Sequence, residues 1–289
     1  MTRSALPTSL FAGGRSVDLT SPIVVGILNI TPDSFSDGAK YLEPSSAVEQ
    51  AKRLILDGAG MLDIGAESTR PGAGDGVSAE EEWRRLEPVL LQVRERFPDV
   101  AISVDTRKAS VADSALKAGA WIINDVSGLR HDPEIADVVA ASGASMVLMH
   151  SRGSVGEMAT YQHAVYEDVV EEVLKELGRS VEEALKRGVG EGHLVVDPGF
   201  GFAKTPEQNF QVLNELERLA IFGLPVLVGP SRKRFLADDR SRENPKKRDA
   251  ATAAACLEAY ARGADLFRVH NVEMVNDALK IAHRLKTTR

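Results

Sequence analysis

From residue 24 onward the chain alternates an apolar, β-branched run with a polar loop and an amphipathic stretch, and it does so eight times. Runs at 24–30, 61–66, 101–105, 121–126, 145–150, 194–198, 225–229 and 266–270 read as strands apolar on both faces, as in a parallel sheet. Stretches at 45–58, 79–97, 108–118, 133–142, 165–188, 207–220, 249–262 and 273–286 carry helical periodicity. Gly58, Gly119, Gly143, Gly188 and Gly263 fall where those helices should end. Eight strand–helix units in roughly 250 working residues match a closed (β/α)8 TIM barrel of the α/β class. An open doubly wound sheet usually has fewer units and is the alternative. No Pro/Ser-rich linker divides the chain, so it reads as an N-terminal extension over residues 1–20 and one barrel domain over 21–289.

The net charge of −7 lacks the basic footprint of a nucleic-acid binder. The local run Arg240 to Arg248 reads as a solvated loop. Residues 1–20 have no signal-peptide core and no segment reaches the length of a membrane span, which predicts a cytoplasmic protein with no membrane partner. The single cysteine, Cys256, sits among alanines, consistent with a buried helix in a reducing compartment. Gly199-Phe-Gly-Phe-Ala-Lys204 lacks the third glycine of a dinucleotide fingerprint, there is no P-loop, and no Cys/His spacing suits zinc.

Position carries more than any single motif. Each strand ends, on its carboxyl side, in polar or charged residues: Asn29; Glu67 with Ser68, Thr69 and Arg70; Asp105; Asn124 with Asp125; His150; Asp197; Ser231 with Lys233; Arg268 with His270. One such residue is a helix cap, but eight sets in a barrel converge on one mouth, where such folds place their chemistry. Asp105 shares a strand face with Ser103 and opposes Val104. Arg268 and His270 share a face between Phe267 and Val269, and a cation pointing into a barrel needs an anion; a ligand is the expected one, with a structural ion pair the alternative. Asp197, before Pro198-Gly199, fits a turn as well as a site, and His150 alone reads as a satisfied core histidine. Asp63 and Asp125 could equally be structural.

Two βα connections are long and glycine-rich, at Thr31–Tyr41 and Ser68–Val77. The first carries Asp33, Phe35 and Asp37, and an aromatic ring has no reason to sit in a solvated turn. The second opens on Arg70. Lids closing over a charged substrate are the functional reading.

Taken in order, GILNITPDSFSDG, LDIGAESTRPG, ISVDTRK with IINDVSG, VLMHSRG, DPGFGFAKT, VGPSRKRF and FRVHNV resemble the dihydropteroate synthase family from about residue 16 to 285. The resemblance implies a (β/α)8 barrel that joins a dihydropterin pyrophosphate to p-aminobenzoate, with Mg²⁺ on the pyrophosphate. By position, Asn29 matches the family's metal site, and Arg268, His270 and Thr69 its pyrophosphate site. Asp105, Asn124, Asp197 and Lys233 match the pterin pocket. Phe35, Arg70, Pro71, Phe202 and Lys233 match the surroundings of p-aminobenzoate, with Asp37 and Arg70 bringing the two loops together. The implied chemistry is a dissociative substitution at the pterin methylene, without a covalent enzyme nucleophile. A homodimer and competition by sulfonamides, which mimic p-aminobenzoate, are implied by the family alone.

Departures from the family pattern are Ala39, Ala66 and Ala251 for glycine, Ser151 for methionine and Asn271 for aspartate. Arg234, where serine is common, adds a cation beside the expected p-aminobenzoate carboxylate site. Two rivals share the barrel: a corrinoid-type pterin-binding methyltransferase, with no need for pyrophosphate cations, and a pterin-binding protein without turnover.

Overall fold

The computed structural model describes residues 8–12, 14–30, 44–67, 76–239 and 241–288. Its strands are β1 (Ser9–Ala12), β2 (Arg15–Asp18), β3 (Ile23–Asn29), β4 (Met61–Gly65), β5 (Ala101–Asp105), β6 (Ile122–Asp125), β7 (Ser145–Met149), β8 (Leu194–Asp197), β9 (Leu227–Val228) and β10 (Leu266–Val269). The helices are α1 (Pro44–Leu56), α2 (Ala79–Arg96), α3 (Ala109–Lys117), α4 (Glu134–Ser142), the single turn α5 (Val155–Met158), α6 (Val169–Lys186), α7 (Pro206–Asn214), α8 (Asp249–Ala261) and α9 (Val272–Thr287). Strands β3 to β10 form one parallel sheet in the order β8-β7-β6-β5-β4-β3-β10-β9. A parallel bridge from Val196 to Val226 brings β8 back beside β9 and makes the sheet a ring. The fold is the (β/α)8 barrel that the eight repeats predict.

The strands lack polar alternation because both faces are covered. Outward residues such as Leu28, Ile64, Val104, Leu148 and Phe267 pack on Leu54, Leu86, Leu90 and Val173 of the helices. Inward residues Val25, Met61, Ala101, Ile122, Val147, Val195, Leu227 and Leu266 fill the lower barrel. Above that layer the lumen turns polar, with Asp63, Ser103, Asn124 and Asp197 all buried. The floor is therefore hydrocarbon and the mouth is a site.

The antiparallel hairpin β1–β2 has no counterpart among the strands read from sequence, although Gly13-Gly14 is a two-residue hairpin signal. Its Leu10, Ala12 and Val17, with Leu19, join the inward layer and plug the amino-terminal end of the barrel. Other boundaries move for local reasons. Helix α6 starts at Val169 because the Asp168 side chain accepts from the amides of Val170 and Glu171. The stretch at 207–220 divides, α7 ending at Asn214 and a 3-10 segment running from Leu216 to Phe222. The run at 225–229 supplies only Leu227–Val228 to the sheet, before Gly229-Pro230 ends it. The five predicted helix-ending glycines all have positive φ. Cys256 is buried in α8, and burial pushes its thiol up to about 12, an inert group.

Candidate active site

Strand register sets Asn29 beside Gly65, Gly65 beside Asp105, and Asp105 beside Asn124, so four strands present these residues at one level of the mouth. Gly65 separates the two carbonyl-bearing chains on either side. A Cβ there would lie 3.7 Å from Asp105 Oδ2 and 3.8 Å from Asn29 Oδ1, filling the space between them. Gly229 does the same for Asp197, whose Oδ2 would stand 4.0 Å from an added Cβ.

One layer below, Arg268 has anions within the chain, the ion-pair alternative to a ligand: its Nε donates to Asp63 Oδ2 at 2.5 Å and an Nη2 hydrogen to Asp105 Oδ2 at 2.9 Å. Asn124 Nδ2 also donates to Asp63 Oδ2, at 3.3 Å. Asp63, unassigned from sequence, is thus the hub that fixes both the guanidinium plane and the carboxamide. Its Oδ1, like Ser103 Oγ, is buried without a hydrogen-bond partner, and such atoms mark where a polar ligand or ordered water belongs. Enclosure raises the Asp105 carboxyl to about 7, against the pull of Arg268 and with the repulsion of Asp63. Burial works against the charge of Arg268, but Asp63 and Asp105 outweigh it and raise its pKa.

Asp197 divides its two oxygens between the turn and the barrel mouth. Its Oδ1 accepts from the Gly199 amide at 2.7 Å, while Oδ2 faces the Gly229 gap. Burial lifts this carboxyl to about 6, with the Gly199 amide and then Lys233 opposing. Lys233 extends from the segment after β9 until Nζ stands 3.7 Å over the Phe202 ring. Burial, then repulsion by Arg268, draws its ammonium down to about 7. The Lys233 backbone is anchored by Phe235, whose ring stacks on Phe200 at 5.8 Å and meets Phe210 edge-on at 5.4 Å. His270 sits beside the mouth: Ser231 Oγ accepts from its amide at 3.1 Å and lies 2.9 Å from its Nδ1. A Ser231 hydroxyl that donates to Nδ1 leaves the ring proton on Nε2.

Arg234 turns away from this centre. Exposed, it donates to the carbonyl of Ala159 at 2.7 Å and lies 5.4 Å from the Tyr161 ring centre. Asn271 has a local reason to be an amide: its Nδ2 donates to Asp249 Oδ2 at 3.0 Å, where an aspartate would set carboxylate against carboxylate. Its Oδ1 caps α9 through the Met274 amide. Ser151 Oγ donates to the Val126 carbonyl at 2.8 Å and accepts from Arg130. Asp125 is structural, accepting from the amides of Ser127 and Leu129 and from the Ser127 hydroxyl. Arg248 is buried on the carbonyls of Arg232, Ser241 and Arg242, while its neighbours Arg242, Lys246 and Lys247 are solvated. Phe35, Asp37, Thr69, Arg70 and Pro71 lie outside the described residues.

The sequence matches a family model described as pterin binding enzyme over residues 25–270. It is 44% identical over 262 residues to a dihydropteroate synthase of Synechocystis sp., covering 91% of this chain and 89% of the relative. The fold superposes on a Xanthomonas albilineans dihydropteroate synthase solved with 4-aminobenzoic acid (TM-score 0.90, 42% identity, 98% and 99% of the two chains). It also superposes on a Xanthomonas albilineans structure in complex with 7,8-dihydropteroate (TM-score 0.86, 40% identity, 97% and 100%).

Proposed function

The chain belongs to the pterin-binding enzymes and, among them, to the dihydropteroate synthases, and from that premise we propose how its own residues divide the work. The reaction condenses 6-hydroxymethyl-7,8-dihydropterin pyrophosphate with p-aminobenzoate to 7,8-dihydropteroate and pyrophosphate, a step of folate biosynthesis. The observation that best supports the division of roles is the set of donors and acceptors gathered at the barrel mouth, with Asn124 and Asp197 buried and Asp105, Lys233 and Arg268 partly so. Asp197 Oδ2, Asp105 and Asn124 accept from and donate to the edge of the pterin, and Lys233 donates to its ring. Arg268, held flat by Asp63 and Asp105, presents a planar cation to the pterin and to the pyrophosphate, which His270 Nε2 and Thr69 also bind. The methylene carbon–oxygen bond breaks with its electron pair leaving on the pyrophosphate, and the electron-rich pterin carries the resulting positive charge. The arylamine lone pair then forms the new carbon–nitrogen bond and the amine loses a proton. Phe202 with Lys233, joined by Phe35, Arg70 and Pro71, walls the p-aminobenzoate side. Such catalysis is positional and electrostatic.

Among the described residues no group of three or more His, Cys, Asp or Glu could hold a metal ion. Mg²⁺ bound mostly through phosphate oxygens and water would ask little of the protein, and one neutral oxygen such as Asn29 Oδ1, beside the Gly65 gap, would hold it. When bound, the ion neutralises charge on the departing pyrophosphate. Pyrophosphate release that needs both substrates, and stops on chelation with EDTA, is the expected outcome. Steady-state release at the same rate with and without p-aminobenzoate, or none at all, would refute the reading.

Arg234 contributes little to this chemistry, since it is exposed and committed to the Ala159 carbonyl. The p-aminobenzoate KM of Arg234→Ser should stay within threefold of wild type, and a tenfold rise would place the guanidinium on the substrate carboxylate. Sulfonamides should compete with p-aminobenzoate at the same wall. Among the described residues no helix is long and apolar enough to cross a membrane, and a cytoplasmic location is part of the proposal. A homodimer through α9 is also part of it, supported by exposed Met274, Ile281 and Leu285; a monomer mass by light scattering would refute it.

A further inference from the structure

Lys204 is 1% exposed, and none of the roles above uses it. The side chain folds back beneath the turn that follows β8. Its ammonium donates to the carbonyls of Gly199 and Phe202, each at 3.2 Å, and to His150 Nδ1 at 2.9 Å. Three hydrogens meet three acceptors, so no donor is wasted.

His150 in turn uses its other nitrogen, Nε2, toward Glu176 Oε2 at 2.9 Å. With Nδ1 accepting from a lysine and Nε2 donating to a carboxylate, the imidazole is fixed as the neutral Nε2–H tautomer. Burial, with Lys204 nearby, lowers His150 to about 3, in accord with that assignment. Glu176 is itself gripped by Arg152, which also binds Glu172 and lies 3.8 Å over the Tyr166 ring. The Tyr166 hydroxyl donates to the Ala203 carbonyl at 2.9 Å. A chain of polar contacts therefore runs from α6, through His150, to one turn of backbone.

That turn carries Phe202, the ring beneath Lys233 Nζ. We propose that Lys204, oriented by His150 and Glu176, is a positioning residue that fixes the Gly199–Phe202 turn and thereby the Phe202–Lys233 wall of the p-aminobenzoate site. The inference rests on the dihydropteroate synthase reading of that wall. The two substrates should feel it unequally. The Asp197 backbone is held from the strand side, by its pairing with Met149 and by the His150 amide donating to its carbonyl at 2.8 Å, so that only its Oδ1 contact with the Gly199 amide leans on the turn. The Phe202 carbonyl is held by Lys204 itself.

The test compares Lys204→Met and Glu176→Gln with wild type, measuring the Kd for the dihydropterin pyrophosphate by calorimetry and the p-aminobenzoate KM by pyrophosphate release. Lys204→Met is expected to raise the KM at least tenfold while the pterin Kd moves less than threefold. Glu176→Gln, at the half-buried outer end of the chain, should raise the KM about threefold with an unchanged pterin Kd. General loosening of the barrel would lower the active fraction or shift both constants together, and that result overturns the proposal. Should Lys204→Met fail to fold, Glu176→Gln decides alone, and a wild-type KM in it overturns the proposal equally. Absence of pyrophosphate release in wild type would instead strike the functional reading beneath it.

Discussion

Asp197→Asn is expected to weaken binding of the dihydropterin pyrophosphate tenfold to a hundredfold, the equivalent of about 1.5–3 kcal/mol for one charge-assisted bond in a buried site. An asparagine can keep its oxygen on the Gly199 amide, which Asp197 Oδ1 now serves at 2.7 Å. Its NH₂ group must then replace Oδ2 and face the N–H donors of the pterin. The pH dependence has a definite sign. Burial raises this carboxyl from 3.8 to about 6, so the folded state binds the proton more tightly than the unfolded one. Its contribution to stability is full below pH 3.8 and is lost as pH rises through 6, so the ionised form costs the free enzyme stability at neutral pH. Pterin binding runs the other way: the carboxylate is the acceptor, and affinity should fall as pH drops below 6. The variant should melt no lower than wild type at pH 7.5 and should lose the acid limb of binding along with the affinity. Calorimetry giving a variant Kd within threefold of wild type would reduce Asp197 to a turn residue.

That dual use of one carboxylate explains why the sequence left Asp197 balanced between turn and site. The Asp-Pro-Gly triplet announces the turn, but only the ring of strands reveals what the second oxygen faces. The barrel itself was legible because eight strand–helix units are more than an open doubly wound sheet usually holds, and because strand ends in such a ring share a mouth. Side chains at those ends could therefore be grouped without knowing a single distance. For Arg268 the sequence names the cation but not its partners within the chain. Asp63 lies 205 residues away in sequence and becomes its partner only because β10 and β4 flank β3 in the sheet. The signal that could have found it was a charge in an otherwise apolar strand, on the inward face shared with Met61 and Gly65. Lys204 left no comparable trace. In Phe-Ala-Lys-Thr-Pro it reads as a solvated loop lysine, and its burial follows from a backbone turn through Ala203, at φ +45°, that no local pattern dictates.

Removing the cation at the centre of the site should be the most destabilising single change. In Arg268→Ala the Asp63 and Asp105 carboxylates, both bound to one guanidinium, face each other within the barrel. Breaking a buried pair by deleting one partner costs about 3–5 kcal/mol, and a domain of this size loses roughly 2–4 °C of Tm per kcal/mol. A fall of roughly 6–20 °C at pH 8 is expected, together with loss of turnover. The loss should shrink in acid, and the sign follows from Asp105. Enclosure already raises it from 3.8 to about 7 with Arg268 in place, and without that cation it must rise further. Its stabilising protonated form is fully present below pH 3.8 and is lost as pH rises through 7, a loss that is larger and runs to higher pH in the variant. At pH 5 the Asp105 carboxyl of the variant is protonated and uncharged, and the Tm difference should fall to less than half its value at pH 8. An equal loss at both pH values would mean that the guanidinium matters through packing of its stem rather than its charge. A double variant separates the two accounts directly, since Asp63→Asn removes one of the stranded charges. If repulsion is the cause, Arg268→Ala with Asp63→Asn melts above Arg268→Ala alone at pH 8, and the two substitutions are strongly non-additive.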